Sequence, residues 1–409
     1  MQRFKHFLQW ICLSVFIGTA CGIASAVFLL SLEKATAFRE SHLWLLWLLP
    51  FGGLLIGLLY HYLGKEVEGG NNLLIDEFHD PKKAIPFRMA PLVLIGTVIT
   101  HLFGGSAGRE GTAVQMGGSL ADQCTHLFRL SHKHRKRLLM IGMSGGFGSV
   151  FGVPFAGTLF GIEVLSIGKI EYWAIVECAV ASFVAHLVTI HLGVHHAVYF
   201  HPDVQGLLSL KTIFLAVAAG FCFGGAAWIF ARLTDGISRL SKALTSFPPL
   251  RLFLGGAVVS AVFHGLPFSQ RYSGLGVPLI VRSIEHPVEI YDWLGKLIMT
   301  ALTLGFGFKG GEVTPLLFIG STLGNALSVS GLFPLPLPLL AAMGFVGVFA
   351  GAANTPVAST LMAMEMFGWQ TGPFVALACF ASYAVSGHRG IYHAQRIHLP
   401  KSKSGSSDT

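Results

Sequence analysis

Residues 108–119 read GREGTAVQMGGS, and residues 310–321 read GGEVTPLLFIGS. A shift of 202 residues carries Gly108, Glu110, Thr112, Gly118 and Ser119 onto Gly310, Glu312, Thr314, Gly320 and Ser321 without a gap. The same shift carries Gly142, Gly145, Pro154, Ala156, Thr158, Leu159 and Glu163 onto Gly344, Gly347, Pro356, Ala358, Thr360, Leu361 and Glu365. Apolar helices resemble one another by chance, but chance rarely preserves Gly, Pro and Glu together at one offset. The chain reads as a duplication: a first membrane repeat over 1–200, a second over 201–398, and a polar tail over 399–409 expected to be disordered. The repeat alone leaves open whether the halves run parallel or inverted.

The chemistry of the repeated motif follows from its glycines. On both sides of Glu110 they let the backbone approach a ligand closely. The stretch after Glu110 reads as a helix, whose first N–H groups have no partner within the helix. With the positive end of the helix dipole, those donors make an anion site. Residues 310–314 offer a second such terminus, so Gly111, Gly311, Glu312, Val313 and Thr314 are candidate anion-binding residues. An ionisable group within the membrane is costly and is a functional candidate by default. The Glu110 carboxylate is itself an anion: it can occupy the site when deprotonated and leave when protonated. The alternative is a permanent pair with Arg109, or a cap on its own helix.

A third glycine-rich segment, Gly69-Gly70-Asn71-Asn72-Leu73, precedes a predicted helix ending near 79–81. Asparagine caps helices and its amide N–H can donate to an anion, which makes Asn71 and Asn72 candidates. Gly390-Ile391-Tyr392 offers a phenolic donor at another predicted helix start. A lone tyrosine near a membrane end also serves as an interfacial anchor.

The composition requires lipid around this site. Hydrophobic residues make up 53% and charged residues 12%, against roughly 25% charged in a soluble domain. Apolar segments run over 7–30, 43–63, 91–103, 138–167, 172–193, 209–231, 250–266, 293–308, 313–329, 334–353 and 355–386. Several fall short of the roughly 20 helical residues that cross a hydrocarbon core. Short, glycine-interrupted segments predict broken or re-entrant helices, whose free backbone groups must face protein or a water-filled cavity. Paired halves with broken helices at matching places point to a transporter whose site lies where the halves meet. The segment 7–30 reads as a retained first helix rather than a signal peptide.

The net charge of +8 is concentrated in Arg3 and Lys5, His132–Arg137 (HKHRKR), and Lys401 and Lys403. These clusters read as loops at lipid headgroups, not as a nucleic-acid surface. The six cysteines are scattered and the 18 histidines show no HExxH spacing, so no metal and no cofactor is expected. His195 and His196 read as interfacial residues. The absence of HExxH and of paired aspartates in the spans argues against an enzyme.

GREGT followed by SGGFGSVFGVPFAGTLFGIEV (144–164) resembles the CLC family of anion channels and transporters. GFKGGEVTP (307–315), GVFAGAANTPVASTLMAMEM (347–366) and GIYHAQ (390–395) extend the resemblance over nearly the whole chain. It implies an all-α polytopic membrane protein of two inverted repeats with tilted and partial helices, and a homodimer with one pathway per subunit. It also implies Glu110 as the gating and proton-coupling glutamate, Tyr392 as the central tyrosine and residues 310–315 as the second anion-binding loop. The departures are informative. Asn71 stands where chloride-selective members carry serine, Thr112 replaces the proline of GREGP, and GEVTP (311–315) replaces GIFAP. These resemble the branch that exchanges fluoride for protons. Val164 stands where many proton-coupled chloride exchangers carry a second glutamate, which suits that branch and suits a passive channel equally. The expected activity is fluoride export across a bacterial cytoplasmic membrane in exchange for protons. The alternative is a chloride/proton exchanger or a passive anion channel.

Overall fold

The computed structural model describes residues 2–128 and 130–401. Most of the expected tail, 402–409, lies outside the described residues, as do the side chains of Arg3, His132 and Lys133. The first half contains α1 (Gln2–Ser41), α2 (Leu49–Leu63), α3 (Asn71–His79), α4 (Met89–Leu102), α5 (Glu110–Leu127), α6 (His132–Phe151), α7 (Pro154–Glu163) and α8 (Ile175–His191). The second contains α9 (Leu210–Leu244), α10 (Pro248–Gly265), α11 (Val277–Glu285), α12 (Asp292–Gly305), α13 (Val313–Val329), α14 (Leu337–Ala353), α15 (Pro356–Phe367) and α16 (Gly372–Val385). One two-residue parallel pair, β1 (Ser166–Ile167) with β2 (Arg396–Ile397), is the extended structure among the described residues. The architecture is the expected all-α polytopic fold.

Helix length decides which elements can cross a bilayer. Phe4–Ser41, Leu43–Leu63, Tyr172–His191 and Leu210–Leu244 are long and apolar enough. α7 has 10 residues and α15 has 12, well short of the roughly 20 needed. Each was expected within one continuous apolar segment, and each is cut off by its own chemistry. The 138–167 segment breaks where Gly152 adopts φ 76° and Pro154 starts α7. Proline lacks the N–H that would continue the preceding helix. The 355–386 segment breaks at Gly368, φ 95°, between α15 and α16.

The short helices find their backbone partners in each other. Glu163, the last residue of α7, accepts from the N–H groups of Val357 (3.0 Å) and Ala358 (2.7 Å) in the first turn of α15. Glu365 of α15 returns the arrangement, accepting from Phe155 (3.0 Å) and Ala156 (2.7 Å) in the first turn of α7. A carboxylate at a helix N-terminus satisfies two orphan donors and complements the dipole. Because each helix ends at the other's start, these equivalent helices run antiparallel.

Equivalent pairs also pack alike. α5 meets α6 where a Cβ on Gly117 would strike the Gly142 carbonyl, and α13 meets α14 where a Cβ on Gly320 would strike the Gly344 carbonyl. Small residues let backbones approach where no hydrophobic drive operates between helices.

Two expectations about the surface are corrected. The HKHRKR run is the first turns of α6 rather than a loop, and Arg135 is buried. Its guanidinium binds Asp122 (2.8 Å), Glu77 (3.1 Å) and the Lys83 carbonyl (2.7 Å), since a buried charge requires partners. Arg137 pairs with Glu177 (3.1 Å) and stacks on Trp10 and Trp173. The tail, in turn, is ordered where it begins. The Leu399 N–H donates to the Ile167 carbonyl beyond the β1–β2 pair, and the Lys401 ammonium donates to the Gly387 carbonyl (2.6 Å) and Ser386 hydroxyl (3.0 Å). Burial there pushes the Lys401 ammonium down to about 7.

Gly320→Ala is expected to destabilise the protein by about 1–3 kcal/mol, the usual cost of overpacking. Gly225, with nothing within 4 Å of an added Cβ, is the control. Gly225→Ala is expected to be neutral or to gain up to ~1 kcal/mol through helix propensity. Thermal unfolding in detergent measures both.

Candidate functional site

The starts of α5 and α13 meet at the centre of the molecule. Gly108 and Gly311 exchange both backbone hydrogen bonds across an antiparallel bridge, at 2.6 and 2.8 Å. A Cβ on Gly311 would lie 2.7 Å from the Gly111 nitrogen and 3.1 Å from that of Glu110. Glycine at 311 is what allows the second loop to lie against the first turn of α5.

Glu110 is fully buried, and its carboxylate reaches across this junction. It accepts from the Thr314 N–H (3.0 Å) and the Thr314 hydroxyl at the start of α13, and from the Arg109 N–H (3.1 Å). The Arg109 guanidinium lies 3.5 Å from its other face. The carboxylate thus sits at the N-terminus of the opposite helix. It neither caps its own helix alone nor pairs with Arg109 alone, the two alternatives open from the sequence. Translocon scales put a central ionised side chain at about 2.5–3.5 kcal/mol. Hydrogen bonds to a charged group recover roughly 1.5–3 kcal/mol each. Three donors and a nearby guanidinium surround the carboxylate.

On another side of the same junction stand Asn71 and Tyr392. Asn71 opens α3 after Gly70, φ 58°, which is the helix's N-cap. Its Nδ2 would be 2.9 Å from a Cβ on Gly111, and the Glu312 carboxylate 3.8 Å from the same point. The Asn71 Oδ1 and the Tyr392 hydroxyl are both buried with no hydrogen-bond partner, which in a native interior marks polar atoms that await a ligand or water. Tyr392 is also within electrostatic reach of Glu110 and Glu312. Gly111, Gly311, Val313 and Thr314 therefore gather with Glu110, Asn71, Glu312 and Tyr392 around one junction.

Two expected roles change. Asn72 turns its Oδ1 to the Ala394 N–H (3.0 Å), tying α3 to the segment that carries Tyr392. That bond uses the amide oxygen and holds the backbone beside Tyr392. Tyr392 is not at a helix start: Gly390–Gln395 is irregular, held by Ile391 N–H to the Ala352 carbonyl (2.8 Å) and by the Gln395 amide to the Val164 and Ala353 carbonyls. The donor there is the phenol, not the backbone. Phe78 is buried on α3 with the Lys136 ammonium over its ring.

Sequence reasoning missed Tyr199, which lies in the connection between α8 and α9 and lines a small cavity with Arg109, Glu110 and Thr314. Nothing in its local pattern marks it, because its position comes from the fold of an irregular segment. Gly142-Met143-Ser144-Gly145-Gly146 also has the spacing of a hydrolase nucleophile motif. Ser144 lies inside α6 with its hydroxyl on the Thr158 carbonyl (3.4 Å), not on the strand-to-helix turn that such a nucleophile requires.

With this geometry in hand, the relatives are informative. The family profile described as voltage gated chloride channel matches residues 52–387. A chloride/fluoride channel protein of Pseudomonas syringae pv. tomato is 52% identical over 97% of this chain and 88% of its own length. An H+/Cl− exchange transporter of Vibrio parahaemolyticus is 26% identical over 87% of this chain and 81% of its own. Among solved structures, a CLC-type fluoride/proton antiporter superposes with a TM-score of 0.92 at 37% identity, covering 96% of this chain and 99% of that one. A slow cyanobacterial Cl−/H+ antiporter superposes at 0.80 with 18% identity over 92% and 94% of the two chains, a likeness of fold.

Thr314→Val removes a hydroxyl donor at the junction while keeping the side chain's branched shape. It is expected to weaken binding of a small anion by about tenfold, one hydrogen bond to a charged group. Calorimetric titration of the purified protein measures this.

Proposed function

The chain belongs to the voltage gated chloride channel (CLC) family, and on that premise we propose that it exchanges fluoride for protons across a bacterial cytoplasmic membrane, exporting the anion. The observation that carries this reading is the Glu110 carboxylate hydrogen-bonded to the first turn of α13 by the Thr314 N–H (3.0 Å) and hydroxyl. A deprotonated glutamate and a fluoride ion ask for the same donors. Protonation removes the charge that the helix terminus stabilises, the side chain is released, and the anion takes its donors. One group then both excludes the anion and carries the proton, so the two cannot cross independently.

Fluoride in particular is supported by the donor set. The ion is small and strongly hydrated, so a site that strips its water must return several good hydrogen bonds. Thr314, the backbone N–H groups of the two helix starts, the Asn71 amide and the Tyr392 hydroxyl supply them. Asn71 stands where serine is expected in chloride-selective members, and a structural relative of high similarity is a fluoride/proton antiporter. As in the family at large, the protein is proposed to work as a homodimer with one pathway in each subunit, without enzymatic activity, metal or cofactor. Related bacterial proteins support the cytoplasmic membrane as its place.

A second reading, a passive fluoride or chloride channel, is favoured by the name of the Pseudomonas relative; Val164 at the second-glutamate position suits both readings. Reconstitution in liposomes separates the two. A fluoride gradient that drives protons uphill supports the antiporter, and fluoride flux without proton movement supports the channel.

In the same assay Glu110→Gln is expected to abolish proton movement coupled to fluoride, because no titrating carboxylate remains; undiminished coupling would remove Glu110 from its assigned role. Asn71→Ser is expected to reduce the preference for fluoride over chloride by about tenfold, the equivalent of one hydrogen bond to an ion. Competition between the two anions in efflux provides the measurement.

A further inference from the structure

Tyr199 lies in the stretch between α8 and α9 that joins the two halves of the chain. Its ring packs against Phe345 and Phe367 in a three-ring cluster, with centroids 5.4 and 5.6 Å from it and 5.2 Å from each other. Tyr199, Arg109, Glu110, Thr314, Phe151 and Val277 line a cavity of about 10 Å³. That volume corresponds to about one water molecule, which occupies ~10–15 Å³ on this measure. Four of its lining residues, Arg109, Glu110, Tyr199 and Thr314, carry polar groups, enough partners to retain a water.

The cavity also adjoins two larger ones. It shares Arg109 with a cavity of about 260 Å³ that includes His195 and Glu40, and Val277 with one of about 1080 Å³ that includes Arg39 and Arg271. Both are open and lie at the Glu110 end of α5. An 18-residue helix separates that end from the basic start of α6, a span of about 27 Å. Together they bring open space on that side of the protein up to Arg109 and Val277, which also line the small cavity.

We infer that Tyr199 is a positioning residue for proton entry at Glu110, its hydroxyl holding a single water between the outer cavities and the carboxylate. The inference rests on the antiport reading. An O–H bond of the held water breaks as an O–H bond forms on a Glu110 oxygen, and the water regains a proton from the outer cavities. Tyr199 keeps its own proton throughout and orients the water by one hydrogen bond. Arg109 remains beside the carboxylate and sets the direction from which water reaches it.

Tyr199→Phe tests this, since it removes the hydroxyl and leaves the ring packed against Phe345 and Phe367. In liposomes carrying a fluoride gradient, the variant is expected to exchange roughly three- to tenfold more slowly, the effect of one neutral hydrogen bond. Fluoride affinity by calorimetry, the fluoride-to-proton ratio and the melting temperature are expected to match the unmodified protein. Exchange at the unmodified rate overturns the inference, and so does a loss of fluoride affinity that accounts for the slower rate. Fluoride flux without protons in the unmodified protein removes the antiport reading and this inference with it. Coupled exchange there, with an unaffected variant, removes the inference alone.

Discussion

Backbone N–H groups at the start of a helix have no partner in that helix, and inside a membrane no water reaches them unless the fold provides it. At the centre of this protein two such starts, those of α5 and α13, are brought together, and the Glu110 carboxylate bridges them through Thr314. A cationic side chain in the same place would leave those donors unanswered, and an apolar one would leave them bare. The requirement for an anion is therefore set by the backbone, and the protein supplies one of its own that can be removed by a proton.

Much of the architecture is what holding two helix starts in one place requires. The Gly108–Gly311 bridge fixes the loops against each other. The glycine contacts between α5 and α6, and between α13 and α14, fix the helices behind them at backbone distance. α7 and α15 apply the same solution without a moving part, since Glu163 and Glu365 cap each other's helices at 2.7–3.0 Å. One pattern, a carboxylate at a foreign helix start, thus serves both function and structure. The difference lies in the surroundings. Glu110 is held by a side-chain hydroxyl as well as backbone donors and has a guanidinium beside it, whereas the hydrogen bonds of each capping glutamate come from backbone donors of a helix whose position it fixes.

Asn71 and Tyr392 bring polar atoms to the junction that the protein itself does not satisfy. Leaving a buried polar atom unpaired costs about 1–3 kcal/mol. The Tyr392 O–H can donate to a transported anion, whereas the Asn71 Oδ1 accepts and is satisfied only by a donor such as water. Asn72 supports this arrangement from behind by holding the segment that carries Tyr392.

The sequence by itself determined the duplication, the membrane setting and the identity of Glu110, Asn71, Thr314 and Tyr392 as the groups of interest. These are carried by residue type at fixed spacing, and Gly, Pro and Glu hold their meaning whatever surrounds them. The breaks at Gly152 and Gly368 were hidden inside apolar runs, because hydropathy averages over the one or two residues whose dihedral angles end a helix. Arg135 and Lys401 looked like surface charge, since nothing local reveals that Asp122 and Glu77, or the end of α16, will close around them. Only the tertiary structure decided that the Glu110 carboxylate rests on the other half's helix, that Asn72 ties α3 to the segment carrying Tyr392, and that Tyr199 lines the cavity beside Glu110. Each depends on contacts between segments tens to hundreds of residues apart, and a linear pattern records the groups that can bond but not the distances at which the fold places them.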